Sequence, residues 1–525
     1  MSDEDVESRS TASGSPAPAA TVPFPPDRFH LTYGVTFLAG VGTLLPWNVF
    51  ITERAYFDLR LFVPPYAPAV ADAFESVFGM TFMAANILGL ALLVRGDALS
   101  RVPRLMRVPA PLLAMAVLLA ASGALAGARE TSGDATAGAT LLTLLCLGGL
   151  TALVQGGSFA DASCLPPKYN QALMGGQAAA GVASAAAALA TTAAARRGGD
   201  DDETEEGHSD QKGVMTQASV YFYASACVML VCALGCAFAA RLPFFERRVE
   251  AAAAAKKRRE RRAEPGRGSR TSAATADAEG DGAPYLESLE SESLESESLA
   301  SVPLLGGARL EGEEVEVPGS LDDASPSGPF PSAAFSNRTR ACYRFAAFAT
   351  FAVTLAVFPA VTSSVCAAEN GATSPPCLAR ASGSESRFAG DLWTPSLFLL
   401  FNAFDLAGRA VASVAPRRAP SGRAVLVWAL ARFALVPPLL ACNVVTSRPW
   451  LFPGWFRRSG AAPVFFVAAL AFTNGHLGSV SVMWGPTFRP LGGRAEEGAA
   501  LSFALTAGLG FGALASYALV AAMQQ

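Results

Sequence analysis

What most constrains this chain is the length and spacing of its apolar runs. A helix needs roughly 20 mostly apolar residues to cross the hydrocarbon of a bilayer. Stretches of that kind lie near 33–54, 71–94, 108–128, 138–162, 172–195, 215–240, 342–366, 392–415, 423–446, 462–486 and 497–522. Charged punctuation separates them: residues 213–240 hold no Asp, Glu, Lys or Arg, whereas the 17 residues from Arg196 to Lys212 hold ten. Only 16% of the 525 residues are charged, against about a quarter in a soluble protein. Inside lipid every backbone amide must be satisfied within its own segment, so eleven such runs predict an all-α polytopic membrane protein. Nine Cys without a CxxC pair make neither a zinc ribbon nor a disulfide scaffold, and three His leave little for catalysis. No metal, no cofactor and no enzyme chemistry is expected.

Lys and Arg are retained on the cytoplasmic side of a membrane. With the N-terminus inside, the inner segments hold 27 of the 40 basic residues and the outer segments eleven, with Arg409 and Arg432 inside spans. The N-terminus is therefore expected in the cytoplasm and the C-terminus outside. The bias fails at 447–461, where Arg448, Arg457 and Arg458 would face outward. Residues 1–32 are polar and lack the apolar core of a cleavable signal, and read as a disordered cytoplasmic tail. Residues 33–240 form a six-helix bundle and 341–525 a five-helix bundle. Between them, 241–340 runs from the basic KKRRERR at Lys256 to Arg262 through SLESESLESES to Pro, Ser and Gly, and reads as a disordered cytoplasmic loop. Its basic run is expected to touch anionic lipid rather than nucleic acid. Two lobes joined by a tether are what a rocking carrier needs.

Several intramembrane residues carry possible chemistry. Pro46 opens the ladder of the first span and is followed by Trp47 and Asn48. Asp405 and Arg409 are four apart, on one face of the eighth span. Charges at that depth must pair or face a cavity, so the couple is either a substrate site or a salt bridge that fixes the helix. Asn402 shares roughly that face. Gln155 offers a donor and an acceptor to a polar ligand, or to a neighbouring helix. Trp47 can stack on a planar ring or act as an aromatic wedge. Gly176 and Gly181, with Gly508 and Gly512, suit close helix approach. Asp161 and His476 are further titratable groups. Cys366 and Cys377 share an outer loop and could form a disulfide.

The block AGVGTLLPWNVFITERAYF in the first span closely resembles the signature of the equilibrative nucleoside transporter family. Further similar stretches follow in order: VQGGSFADASCLPPKYNQALMGGQAAAG, FPAVT at Phe358 to Thr362 with Pro359 inside it, FNAFDLAGR, ARFALVPPLLACN and AFTNGHLGSVSVMWGP. The resemblance covers about 33–522, apart from the central loop. It implies eleven helices in a fold related to the major facilitator superfamily, with Asp405 and Arg409 lining the path and engaging the sugar. It also makes Gln155 a substrate contact and the plasma membrane the expected location, with an endomembrane the alternative. The function implied is a nucleoside carrier, extending to nucleobases, working by alternating access and driven by the substrate gradient or by protons. Two alternatives stand beside it: an organic cation or monoamine carrier, for which Asp161 would be an unpaired carboxylate in the cavity, and a noncatalytic receptor or scaffold.

Overall fold

The computed structural model describes residues 24–71, 74–95, 98–128, 130–198, 206–263, 333–363, 365, 392–414, 419–442 and 460–524. Among these residues eleven helical segments are long and apolar enough to cross a membrane: 28–52, 77–94, 104–127, 133–163, 167–193, 213–239, 336–363, 393–414, 422–441, 461–488 and 491–519. Their core helices are α1 (Leu31–Thr52), α2 (Phe74–Val94), α3 (Pro109–Gly127), α4 (Gly133–Ser163), α5 (Pro167–Gly198) and α6 (Glu206–Ala239) in the first half. A further helix, α7 (Pro243–Ala263), precedes the second half, which comprises α8 (Ala333–Val357), α9 (Trp393–Val414), α10 (Gly422–Ala431), α11 (Ala461–Trp484) and α12 (Arg494–Gln524). The span that begins with α10 continues through a 3-10 turn at Arg432–Leu435 into Val436–Ala441.

Helix pairing divides the bundle in two. In the first lobe α1 packs on α5 and α6, α3 on α6, and α2 on α4; in the second, α8 packs on α12 and α10, and α9 on α11. Bare backbone sets these distances. A Cβ on Gly40 would lie 2.0 Å from Leu173 O and one on Gly176 1.9 Å from Phe37 O, so α1 and α5 touch main chain to main chain. The α9/α11 pair repeats this, with Gly408 against Phe472 O at 2.1 Å and Gly475 against Asp405 O at 2.0 Å. In the α8/α12 pair, Gly508 meets Phe348 O at 2.3 Å and Gly512 meets Ala352 O at 2.5 Å. Close backbones raise dispersion contact where lipid supplies no hydrophobic drive. The lobes meet where α5 packs on α9 and α11, and where α4 and α2 pack on α12. Phe351, Val482 and Leu505 of the second lobe join the apolar core of the first.

One expectation fails in the middle of the chain. Residues 243–263, expected within a disordered loop, are the helix α7, and the first helix of the second lobe starts at Ala333 rather than after 340. Pro243 opens α7 where its missing amide proton costs nothing. Five alanines and strong helix formers continue it, with Glu246 in its first turn, where the helix dipole favours an acid. Val249 and Ala252 pack with Cys164, Leu491 and Ala495. The basic run thus starts on a docked helix.

Candidate substrate site

The Asp405/Arg409 couple lies in the seam between the lobes. Arg409 Nε donates to Asp405 Oδ2 at 2.8 Å across one helical turn. Asn474 of α11 donates through Nδ2 to Asp405 Oδ1 at 2.7 Å. Arg409 Nη1 crosses to α5, donating to Met174 O at 2.6 Å and reaching Gln177 Oε1 at 3.4 Å. Gln171 returns the link, its Nε2 donating to Arg409 O at 3.3 Å. Asp405, Arg409, Asn474, Gln171 and Gln177 are all buried. A second cation stands behind this group: Arg432 donates to Thr354 Oγ1 at 2.7 Å, and Thr354 Oγ1 lies 2.8 Å from Asn474 Oδ1. The charges thus avoid lipid, as burial of ions in a membrane requires.

Asn402, one turn from Asp405, is half-buried; its Nδ2 donates to Phe398 O at 2.8 Å. A Cβ on Gly181 would stand 2.1 Å from Asn402 Oδ1, so this glycine also serves the lobe contact. Gln155 is elsewhere in the seam: its Nε2 donates to Thr506 Oγ1 of α12 at 2.8 Å, and both side chains are buried. Its amide therefore joins two helices here, and no described contact links it directly to Asp405 or Arg409. Trp47 is half-buried and stacks on Phe82 with centroids 5.1 Å apart. Pro46 and Asn48 beside it are buried, and among the described residues nothing accepts from Asn48 Nδ2. Phe358 stacks on Phe401 at 3.7 Å, with half-buried Pro359 next to it. Asp161 is 3.6 Å from Arg107, so it is not an unpaired carboxylate. His476 lies parallel to Phe472 at 6.3 Å. Cys366 and Cys377 fall outside the described residues.

The seam is shut at the end where α7 docks. There a Cβ on Gly498 of α12 would lie 2.3 Å from Phe159 O of α4. Lys256 and Arg259 of α7 reach Glu496 at 3.5 and 3.2 Å. Glu497, fully buried, accepts from Arg340 at 2.9 Å and from Arg344 Nε at 2.7 Å, with Arg489 3.6 Å away. The lobe contacts named above all lie between mid-helix and this basic end. At the other end Trp47 of the first lobe and Phe358 and Phe398 of the second are half-buried.

A two-lobed bundle with a polar seam suits several kinds of carrier; similarity to known proteins narrows the choice. A family model described as nucleoside transporter matches residues 141–521. The chain belongs to the nucleoside transporter family. It is similar to human equilibrative nucleoside transporter 1, at 23% identity over 522 residues covering 94% of this chain and 97% of that protein. Human equilibrative nucleoside transporter 2 matches at 26% over 507 residues, with the same coverage. Among solved structures, a proton:xylose symporter of the major facilitator superfamily, bound to 6-bromo-6-deoxy-D-glucose, superposes with a TM-score of 0.53 at 11% identity. That match covers 94% of this chain and 90% of the symporter and establishes the fold. The protein is thus an integral multi-pass carrier of major facilitator architecture, not an enzyme. Asn474, Thr354, Gln171 and Gln177 are members of the polar seam that sequence reasoning did not single out, and Arg432 stood out there only as a charge within a span. Asn474 precedes His476 by two positions in AFTNGHLG, and the two glutamines flank the Gly-Gly of NQALMGGQ.

Proposed function

We propose that this member of the family carries neutral nucleosides by alternating access, with the Asp405/Arg409 couple as the polar centre of the substrate path. The observation that carries the reading is that Arg409 is bonded to both lobes, to Asp405 on its own helix and to Met174 O on α5. A carboxylate has about four acceptor positions; Arg409 and Asn474 occupy two, leaving two for the vicinal hydroxyls of a ribose. A substrate that draws Asp405 and Arg409 away from α5 would weaken the seam on which the shut state depends. Such differential binding is what lets a ligand shift a conformational equilibrium. Trp47, Phe358 and Asn402 are the residues from which a base would draw aromatic and amide contacts. Gln155 acts by holding α4 to α12 in the shut state.

The N-terminus lies in the cytoplasm and the C-terminus outside, in the plasma membrane, so the shut end faces the cytoplasm. The segments 33–240 and 333–525 move as the two lobes. Anionic lipid headgroups meet the exposed Arg258 and Arg261 of α7. Flux follows the nucleoside gradient. Uptake of radiolabelled uridine and adenosine into proteoliposomes, with and without an imposed pH gradient, tests this: saturable uptake indifferent to the pH gradient is expected. Uptake that only a proton gradient sustains would replace facilitated diffusion by symport. No uptake of either compound by folded protein would remove the substrate assignment.

A further inference from the structure

Arg432 is an arginine that no transport role yet accounts for. It sits in a span whose neighbouring side chains Val427, Trp428 and Phe433 are exposed at the outer surface of the bundle, yet it is only 3% exposed itself. Its guanidinium makes four bonds: Nε to Thr473 Oγ1 at 2.9 Å, Nη2 to Leu470 O at 2.9 Å and to Thr354 Oγ1 at 2.7 Å, and Nη1 to Thr350 O. Among the described residues no carboxylate pairs with it directly. A buried cation without an anion is expensive in a membrane, so its position calls for a reason beyond packing. The hydrogen-bond chain supplies one, because it ends on Asp405.

The direction of that chain is fixed by donor counting. Arginine can only donate, so Thr354 Oγ1 must accept from Arg432. The one hydroxyl proton of Thr354 is then available to Thr350 O at 2.9 Å or Asn474 Oδ1 at 2.8 Å. Thr350 O already accepts from Arg432 and, as part of α8, from its own helix. The proton therefore goes to Asn474 Oδ1, which turns the amide so that Nδ2 donates to Asp405 Oδ1 at 2.7 Å. The reversed amide would set an oxygen lone pair against the carboxylate.

We propose that Arg432 is a positioning residue for the transport site: through Thr354 and Asn474 it orients the Asp405 carboxylate so that its free acceptor positions meet the sugar hydroxyls. The inference rests on the nucleoside reading above and assigns to the relay of Arg432, Thr354 and Asn474 the discrimination between substrates with and without those hydroxyls. Arg432 and Arg409 then hold Asp405 from two sides, one through a relay and one directly.

The test compares uridine with 2′,3′-dideoxyuridine in initial-rate uptake by proteoliposomes holding the full chain. Thr354→Val removes the relay and keeps the shape; Thr354→Ser keeps the hydroxyl. Loss of one such hydrogen bond corresponds to about a fivefold effect. Thr354→Val is therefore expected to raise KM for uridine about fivefold at little change in kcat, to leave dideoxyuridine within about twofold, and to be rescued by Thr354→Ser. Arg432→Lys, which keeps the charge but loses the planar fork, is the second variant and is expected to show the same selective loss. Equal loss for both substrates, no loss for either, or collapse of the fold in both variants would make Arg432 a structural anchor and overturn the proposal. Wild-type uptake of both compounds is measured alongside, and its absence would fault the substrate reading itself.

Discussion

Replacing Gly475 by alanine probes the site through its geometry without removing a polar group. A Cβ there would lie 2.0 Å from Asp405 O, 2.9 Å from its carbonyl carbon and 3.0 Å from Arg409 N. These are backbone atoms of α9, so no side chain can step aside. Restoring even a tight carbon–oxygen contact parts the helices by about 1 Å, which overpacking charges at about 1–3 kcal/mol. The Asn474–Asp405 bond, 2.7 Å long, would be stretched past hydrogen-bond range. A bond to a charged group contributes about 1.5–3 kcal/mol, so kcat/KM for uridine is expected to fall about 10- to 100-fold. Alanine favours a helix over glycine by about 1 kcal/mol, so propensity alone predicts the opposite sign. Gly138→Ala, with nothing within 4 Å of its Cβ, is the control and is expected to transport normally. Uptake in proteoliposomes, normalised to protein that elutes as a single species, reads both. Gly475→Ala with wild-type KM and rate would refute the claim that this close approach holds the site in place.

Other consequences are open to measurement. Gln155→Leu and Thr506→Val are expected to be non-additive in thermal unfolding, with a coupling of about 0.6 kcal/mol typical of membrane hydrogen bonds; strict additivity would deny their contact. Reversing Glu496 to Lys should free α7 and speed tryptic cleavage after Lys256 to Arg261 by about two- to fivefold, the range exposed ion pairs support; an unchanged digestion rate would show that apolar docking suffices. Glu53, at the end of α1, is 7% exposed, and burial pushes its carboxyl up to about 7 from 4.5. The folded state then holds a proton that the unfolded state has released, so the stabilisation contributed by Glu53 through this linkage is greatest below pH 4.5, is lost as pH rises to about 7 and is constant above. The amplitude is on the order of 3 kcal/mol. Glu53→Gln should remove that component and raise Tm at pH 8; a Tm difference between wild type and Glu53→Gln that stays constant between pH 4.5 and 7 would contradict it.

Much of the fold was legible because span length is a property of composition. Apolarity sufficed even for the Ala-rich fifth crossing, found at 167–193. Helix α7 was not legible, since charge and alanine hide its short apolar stripe. What orders it is a surface formed far along the chain by Leu491 and Ala495. The site was legible in part. Two charges four residues apart inside a span announce themselves, and Asp405 and Arg409 do pair. The partner of Gln155 is 351 residues away, and no local pattern names it. Arg432 was visible as an intramembrane charge, but its partners are carbonyls and hydroxyls rather than an acid, and only packing reveals them.

In the proposed cycle the lobes exchange nucleoside across a seam pinned by Asp405 and Arg409. Counterflow tests it most directly: proteoliposomes preloaded with unlabelled uridine are diluted into trace labelled uridine. The wild-type chain is predicted to give a transient overshoot of label, and Asp405→Asn, inserted to the same level, none. Label that only equilibrates passively in wild type, or an equal overshoot in the variant, would contradict the account.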